Sequence, residues 1–283
     1  MAVSTYRGDI TLPPEVSSEI MSKMQEESAV MRLSRQITLP GRGATINVIT
    51  GDPTADWVAE TDPKPVSDPG LDTKIMQAYK LAVIVPFSDE FRRDVASLYD
   101  EIVNRLPGAL AAKFDTTVLG GTAPGTNFDT FATVTAQAIG SDAYAALVAA
   151  EGDIAQAGGI LDGFVLSPQA KSILLAAVDG NQRPLFINNV SEGAIPYILG
   201  ARAVLSKGAY KAGTPNTVAF AGDWTQAIYG TVEGVKINYS SDATLDLGGG
   251  TTVNLFQQNM FAVKAEIEVG FRADTTVFNA ITE

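Results

Sequence analysis

The sequence of 283 residues predicts an α+β fold in which helices dominate the first half and strands the last third. Two long segments before residue 120 carry apolar residues at helical spacing. The stretch from Val232 to Phe271 carries strand patterns instead, and its final run alternates between apolar and polar positions. Between the two helical segments lies a stretch of about thirty residues that predicts a long arm outside the core.

The predicted arm spans Gly51 to Lys80 and contains four prolines, two glycines and five aspartates, so we expect no core element from it alone. It separates an alternating run at 45–50 from an apolar run at 81–85. Disordered segments lack apolar side chains. This segment has several, namely Trp57, Val58, Val66, Leu71, Ile75, Met76 and Tyr79. We therefore predict an extended arm that packs on a neighbouring copy.

The first helical segment follows a short polar arm, Met1 to Leu12. Pro13 and Pro14 fit the first turn of a helix, because a residue there needs no backbone N–H. The pattern predicts an amphipathic helix to about Arg35. Its apolar side can dock on the chain's own core or on a partner, and the pattern leaves both open.

The second helical segment is predicted to start at Ser88, a good N-cap, with Asp89 and Glu90 beside the positive end of the helix dipole. Its apolar residues keep a 3.6-residue period as far as Val118. Pro107 predicts a kink or break near residue 106.

The middle of the chain predicts two further helices and three short strands. Ser141 and Asp142 are expected to open a helix that ends at Gly158 and Gly159. Its apolar positions are Tyr144, Leu147, Val148 and Ile154. A strand at 164–166 is followed by Ser167 and Pro168, a helix start whose buried stripe is expected at Ile173, Leu174 and Val178. Short strands are predicted at 203–205 and 218–220.

The last third predicts strands at 232–239, 253–256 and 261–271, with a turn at 246–250. The last strand would span roughly 35 Å, which suits an elongated sheet. Its apolar face is predicted to consist of Phe261, Val263, Ala265, Ile267, Val269 and Phe271. The other face is predicted to carry Lys264, Glu266, Glu268 and Arg272.

The composition excludes many kinds of protein. The chain has no histidine and no cysteine, so Ser-His-Asp or Cys-His catalysis, a Cys/His zinc site and a disulfide are all impossible. We expect no catalytic residues, no cofactor and no metal. With 32 acidic and 20 basic residues, the net charge of −12 would repel a nucleic-acid backbone. No apolar run is long enough to span a membrane, and residues 1–10 do not resemble a signal peptide.

Paired carboxylates are the remaining route to an enzyme, as in glycoside hydrolysis. The candidates are Asp89 with Glu90, and Glu266 with Glu268. The helix dipole explains the first pair and a polar strand face explains the second, so a carboxylate-based hydrolase is only a remote alternative. The glycine-rich stretch at 120–125 is interpreted as a connector and not as a phosphate loop.

The order of these elements resembles the major capsid protein of tailed bacteriophages over nearly the whole chain. The segments that carry the resemblance are 14–16 and 27–30 in the first helix, 55–60 entering the arm, 79–90 before the long helix, 165–168, 221–224 and 254–259. Each segment alone is weak, and their order and spacing are the specific signal. The chain departs from the pattern at Ala203, where a proline is common, and at Trp224, where a phenylalanine is common.

The resemblance implies the tailed-phage major capsid fold, divided into four parts. These are an N-terminal arm and helix (1–43), an extended β-hairpin loop (44–80), a peripheral domain with a long spine helix and long antiparallel strands (81–130 and 223–271), and an axial α/β domain (131–222 and 272–283).

The resemblance also implies a function in the virion capsid, assembled in the host cytoplasm. Hexamers and pentamers would tile an icosahedral head that encloses double-stranded DNA without sequence-specific binding and without a membrane. A portal protein would be a partner, with separate scaffolding and decoration proteins possible, because no N-terminal scaffolding segment is expected. An encapsulin-like shell around an enzyme cargo is the alternative. Some relatives join a loop lysine covalently to a neighbour, and we do not carry this over to Lys64 or Lys74.

The candidate contacts between subunits are Trp57, Glu60, Arg92 and Arg93. A large aromatic residue on an exposed arm is more useful at an interface than in water, so Trp57 is the expected anchor. Packing of Trp57 within its own hairpin is the alternative. Glu60 is predicted to meet Arg92 or Arg93 of another subunit, although exposed pairs contribute only about 0–1 kcal/mol.

Overall fold

The computed structural model describes residues 14–41, 44–49, 57–58, 71–94, 96–140, 142–178, 181, 183–186, 195 and 197–283. It describes only the backbone at 14–20, 44–49, 71–73, 92–94 and 96–103. The helices are α1 Pro14–Glu27, α2 Ala29–Leu33, α3 Asp89–Asp94, α4 Ala96–Val118, α5 Ala143–Gln156 and α6 Pro168–Ala176. The strands are β1 Arg35–Thr38, β2 Ala44–Ile49, β3 Leu71–Met76, β4 Tyr79–Ser88, β5 Thr135–Ala138, β6 Gly163–Leu166, β7 Tyr197–Ile198, β8 Ala201–Leu205, β9 Thr217–Gly222, β10 Ala227–Thr231, β11 Lys236–Ser240, β12 Thr244–Asp246, β13 Thr252–Asn254, β14 Met260–Ala273 and β15 Phe278–Thr282.

Strand β14, with 14 residues, is the centre of a five-stranded sheet. β4 pairs antiparallel along one of its edges, while β10 and β11 pair in succession along the other. β1 adds to β10 in parallel. The predicted alternation of β14 is confirmed, because all six residues of the predicted apolar face are buried. The sheet therefore has the long antiparallel strands that the sequence predicts.

The second large sheet has six strands, in the order β5-β15-β9-β6-β8-β7. The predicted strands at 164–166, 203–205 and 218–220 all belong to it. One face carries Phe164 and Leu166, which share a buried cluster with residues of α5 and α6. The other face carries Val165 and Phe220, which join the larger cluster around α4 and β14. The sheet thus lies between its own helices and the rest of the molecule.

Strands β2 and β3 form a separate two-stranded antiparallel sheet, with Ala44 opposite Met76 and Ile49 opposite Leu71. This pairing confirms an extended β-hairpin in the predicted loop. The last residues of the predicted arm 51–80 join this subunit's own core, because Met76 is completely buried and Tyr79 pairs with Val269 of β14. The hairpin is therefore rooted in the core at its base.

The first helix is shorter than predicted, because it breaks at Ser28 and resumes as α2. Arg35, the predicted last helical residue, begins strand β1 instead. The apolar side docks on the chain's own core, since Met24 and Val30 are fully buried in the larger cluster. The break has a long-range cause in the side chain of Asp115, described below.

The predicted cap at Ser88 is confirmed, because its hydroxyl oxygen accepts a hydrogen bond from the N–H of Phe91 at 3.1 Å. The predicted break near residue 106 is not found, since α4 continues through Pro107 to Val118. Leu106, Leu110 and Phe114 are buried on the same stripe of this helix. Burial of that stripe offsets the hydrogen bond that proline removes.

The apolar positions of the two middle helices are only partly buried, and the buried stripe predicted after Ser167 needs correction. On α5, Leu147 and Ile154 are buried, but Tyr144 and Val148 are 49% and 41% exposed. Small alanines fill the buried positions of this helix instead. After α6, Val178 is 43% exposed although Leu174 is buried. The predicted caps hold, because Asp142 accepts from the N–H of Ala145 and Ser167 accepts from the N–H of Ala170.

The strands of the last third have other bounds than predicted, and β14 is longer at both ends. Of the predicted strand at 232–239, only the part from Lys236 onward is a strand, β11, while β10 ends before it at Thr231. The predicted turn at 246–250 joins β12 to β13, and the latter ends at Asn254 instead of Phe256. None of the described helices is long and apolar enough to cross a membrane. The four domain boundaries stay a prediction.

Candidate assembly site

Arg272 fixes the base of the β2–β3 hairpin to strand β14. Its Nε donates to the carbonyl of Ile75 at 2.8 Å. The same guanidinium donates to Asp129 Oδ1 at 2.7 Å and to Asn127 Oδ1 at 3.2 Å. Asp129 in turn accepts from the N–H of Ala273 at 3.1 Å. One side chain thus joins the hairpin, the 127–129 loop and the central strand, which suits the fork geometry of arginine.

Two further residues, Lys74 and Gly230, help to hold the base of the hairpin. Lys74 Nζ donates to the carbonyl of Ala273 at 3.0 Å, so this lysine is engaged within its own chain. Lys64 lies outside the described residues. A Cβ atom at Gly230 would lie 2.6 Å from Leu39 Cδ1 and 2.7 Å from Met76 Sδ. Glycine is therefore required where the buried end of the hairpin crosses the sheet.

We predict that Arg272→Lys lowers the free energy of unfolding by about 1–3 kcal/mol, because an ammonium group cannot replace the three directed hydrogen bonds. Urea denaturation of the purified subunit would measure this. Lys264→Ala, on the same strand but with a partly exposed ion pair, is the matched control and should cost less than about 1 kcal/mol. Equal losses in the two variants would contradict the anchor role of Arg272.

Asp115 is a second junction, buried in α4 with 1% exposure. Its Oδ1 accepts from the Ser28 hydroxyl at 2.5 Å and from the N–H of Val30 at 3.3 Å. Its Oδ2 accepts from the N–H of Ala29 at 2.9 Å and from the Ser206 hydroxyl at 2.9 Å. One carboxylate therefore satisfies the first turn of α2 and ties it to the segment after β8.

The break between α1 and α2 follows from this junction. The Ser28 hydroxyl also accepts from the N–H of Met31 at 3.1 Å, which makes it the N-cap of α2. Two turns earlier on α4, Gly108 lies directly under the carboxylate of Glu27, so a larger residue there would displace this exposed side chain. Gly108, Ala111 and Asp115 are spaced along one face of α4. The link between α1 and α2 at Ser28 packs on this face of α4.

Burial raises the pKa of Asp115, and its hydrogen bonds with Ser28, Ala29, Ser206 and Val30 oppose the rise. Sequence reasoning missed this residue. The available signal was its position, since Ala111, Asp115 and Val118 follow helical spacing and a carboxylate among buried apolar neighbours requires partners. Which donors it meets depends on contacts distant in sequence.

The candidate contact residues are placed as follows. Trp57 is 104% exposed and Val58 is 37% exposed, so the tryptophan is not packed against the part of the subunit that the structure describes. The contact of Trp57 with another subunit stays a prediction, and so does its alternative, packing within its own hairpin. Glu60 lies outside the described residues. Arg92 and Arg93 belong to α3, whose backbone alone is described there, so their contacts stay a prediction.

The candidate catalytic carboxylates have structural partners. Lys264 Nζ lies 3.1 Å from Glu266, and Lys80 Nζ lies 3.4 Å from Glu268. Asp89 and Glu90 are exposed in the first turn of α3, where the helix dipole favours them. Among the described residues, no group of three or more acidic side chains is placed to hold a metal.

The glycine-rich stretch at 120–125 follows the C-terminal end of α4. There the Nζ of Lys211 donates to the carbonyl of Gly120 at 2.6 Å. A helix C-terminus presents carbonyl groups and partial negative charge, which disfavour a phosphate. The location supports the interpretation as a connector.

The fold and these junctions can be compared with known proteins. The family model described as "Phage capsid family" matches residues 8–281. The "Probable major capsid protein gp17" of Mycobacterium phage D29 is 29% identical over 288 residues, covering 96% of this chain and 89% of that protein. The "Major capsid protein" of Staphylococcus phage 80alpha is 26% identical, covering 95% of this chain and 84% of that protein.

Solved structures agree at the level of the fold. A structure from Mycobacterium phage Adephagia has a TM-score of 0.74 at 20% identity and covers 90% of this chain and 89% of its own. A capsid of an empty GTA particle, computed with C5 symmetry, has a TM-score of 0.65 at 14% identity and covers 100% and 94%. The predicted tailed-phage major capsid fold is therefore confirmed.

The family match over nearly the whole chain defines the class of protein, a component of phage capsids. This chain belongs to the phage capsid family. It is a major capsid protein that forms the capsid shell, and its location is the capsid of the virion.

Proposed function

We propose that this chain assembles as hexamers and pentamers into an icosahedral head that encloses double-stranded DNA, and that it has no catalytic role. The observation that carries the proposal is the hairpin. Its base is held by Arg272 and by the buried Met76, while Trp57 between its strands is fully exposed. An arm that is rooted in the core and carries an exposed aromatic residue fits a contact with an adjacent subunit.

The rigid root matters because interface contacts lose affinity when mobile groups must be ordered. The hydrogen bonds of Arg272 and Lys74 hold β3 against β14, so the direction in which the hairpin leaves the core is fixed before assembly. Glu60 with Arg92 or Arg93 would then be a peripheral ion pair. Such pairs influence the register of a contact more than its strength.

Containment of DNA requires a wall that does not bind it tightly. The net charge of −12 supports this, since a surface rich in acidic groups repels phosphates. A portal protein for DNA entry, and separate scaffolding and decoration proteins, are partners that the proposal includes. Glu266 and Glu268 form ion pairs with lysines, and the helix dipole explains Asp89 and Glu90, which supports the absence of catalysis.

The test is the content of particles purified from their native source. We expect double-stranded DNA that resists added nuclease until the particles are opened. The free subunit should not retard DNA in a gel at physiological salt. Particles filled with an enzyme and free of DNA would contradict the proposal and support an encapsulin-like compartment instead.

A further inference from the structure

Helix α5 presents an apolar face to the outside of the six-stranded sheet. Its inner side packs on the sheet through Leu147 and Ile154. The exposed positions are Tyr144, Ala145, Val148, Ala149, Glu151, Gly152, Ala155 and Gln156. Glu151 is the only charged residue among them. A helix that is apolar on both sides is normally covered on both sides. The outer face of α5 is exposed, so the part of the subunit that the structure describes does not cover it.

The shape of this face indicates what covers it. Ala145, Ala149 and Gly152 follow each other at spacings of four and three residues, so they form a shallow groove along the helix. No atom lies within 4 Å of the position that a Cβ of Gly152 would take. Tyr144 and Val148 border the groove and are about half exposed. Such a groove admits one large side chain at short distance.

The opposite end of the same sheet presents such a side chain. β7 is the last strand in the sheet order, while α5 packs over β5, β15 and β9 at the other end. Tyr197 in β7 is 65% exposed. Its partner across the ladder is Arg202, which is also exposed. One end of the sheet thus carries the α5 groove with Glu151, and the other end carries Tyr197 with Arg202.

Charge favours a second copy of this chain as the occupant. Two subunits that each carry a charge of −12 repel each other in general. They approach with least repulsion where one presents a nearly uncharged face and the other presents a cation. Glu151 and Arg202 provide that combination at the two ends of one sheet.

From these features we infer that the outer face of α5 in one copy receives Tyr197 of the next copy, with Glu151 beside Arg202. The two surfaces differ, so the contact is head-to-tail and closes into a ring when repeated by rotation. The inference rests on the proposed assembly into hexamers and pentamers. It adds which surfaces of the axial sheet meet within each ring.

The size of the face argues for a ring within a shell and against a stable pair of free subunits. A helix of 14 residues is about 21 Å long and about 10 Å wide, so its outer face offers on the order of 200 Å². A standard interface buries about 800 Å² on each partner. The α5 contact must therefore act together with other contacts, as happens when every subunit has several neighbours.

Cysteine crosslinking tests the pairing directly, because the chain has no cysteine of its own. The double variant Glu151→Cys/Arg202→Cys keeps Tyr197 and the groove intact. Assembled particles treated with a short bismaleimide should give a ladder on a denaturing gel up to about six chains. Each single variant should stay at the size of one chain, because a head-to-tail contact places unlike positions together.

A second pair of variants tests whether the groove contributes to assembly. Ala149→Trp should fill the groove and reduce the yield of particles at least tenfold, while thermal unfolding of the subunit stays unchanged because residue 149 is exposed. Ala149→Ser keeps the groove open and should assemble normally. Normal assembly of Ala149→Trp would overturn the inference.

The remaining outcomes separate this inference from the proposed function. Particles that form from the double variant without a ladder would overturn the α5 contact and leave the shell function intact. Dimers from either single variant would show a symmetric contact and would also overturn it. If the unmodified chain forms neither rings nor shells, both proposals fail together.

Discussion

Replacement of Asp115 by alanine is expected to lower the free energy of unfolding by about 3–5 kcal/mol, which is among the largest effects of a single substitution. The carboxylate accepts from four donors at the start of α2 and after β8. Alanine would leave the three buried donors, the Ser28 hydroxyl and the N–H groups of Ala29 and Val30, without this acceptor. Each unsatisfied buried donor costs about 1–3 kcal/mol, less whatever the site recovers by relaxing. Urea denaturation of the purified subunit measures the loss.

Two further variants make the expectation specific. Asp115→Asn keeps the shape of the side chain but replaces one acceptor oxygen by an NH2 group, which cannot accept from the donors around it. We therefore expect an intermediate loss of about 1–3 kcal/mol in the free energy of unfolding. Asp242→Ala removes an exposed aspartate and should change stability by less than about 0.5 kcal/mol. If Asp115→Ala behaves like Asp242→Ala, the junction does not hold α2 in place.

The pH dependence gives the same residue a distinct signature. A carboxyl group whose pKa is raised on folding stabilises the native state below its unfolded pKa of about 3.9. That contribution is lost as the pH rises through the raised native pKa. The stability advantage of the unmodified chain over Asp115→Asn should therefore shrink as the pH increases above about 4. An advantage that grows with pH would mean that the hydrogen bonds lower the pKa more than burial raises it.

Trp57→Ala is expected to abolish particle assembly while leaving the subunit folded. The side chain is fully exposed, so its removal costs the isolated subunit little. An aromatic anchor at an interface contributes 2 kcal/mol or more per contact, and a shell repeats each contact many times. Light scattering of the assembling protein measures the loss, and a denaturation curve that matches the unmodified chain shows that the fold is intact.

The second tryptophan is the natural control for this variant. Trp224 is completely buried, and its Nε1 donates to the carbonyl of Gly163 at 3.0 Å. Trp224→Ala should destabilise the subunit itself by about 3–5 kcal/mol. Fluorescence of the unmodified chain should shift to shorter wavelength on assembly, and the shift should be absent from Trp57→Phe. Normal particles from Trp57→Ala would contradict the role of the hairpin as a contact between subunits.

Local patterns predicted the parts of this fold that depend on neighbours in sequence. The alternation of β14 and the caps at Ser88, Asp142 and Ser167 follow from side chains a few residues apart, and each prediction is confirmed. Long-range contacts produced the differences. Ser28 ends α1 because a carboxylate 87 residues later binds the start of α2.

The surface of α5 illustrates a second limit. Tyr144 and Val148 lie at helical spacing among apolar residues, so the pattern predicts burial, yet both are exposed in the single subunit. The pattern predicts that an apolar side chain is buried, but it does not indicate whether the same chain or another copy buries it. The same ambiguity applies to the arm, where Met76 belongs to the core and Trp57 does not.

Electron microscopy of the purified full-length protein, alone and beside native particles, tests the account most directly. We expect closed shells tens of nanometres across, or rings of five and six subunits, because in our proposal the rooted hairpin contacts a neighbouring subunit. A protein that stays monomeric at every protein and salt concentration would contradict assembly through the hairpin. Trp57 would then be an ordinary surface residue with no role in a subunit contact.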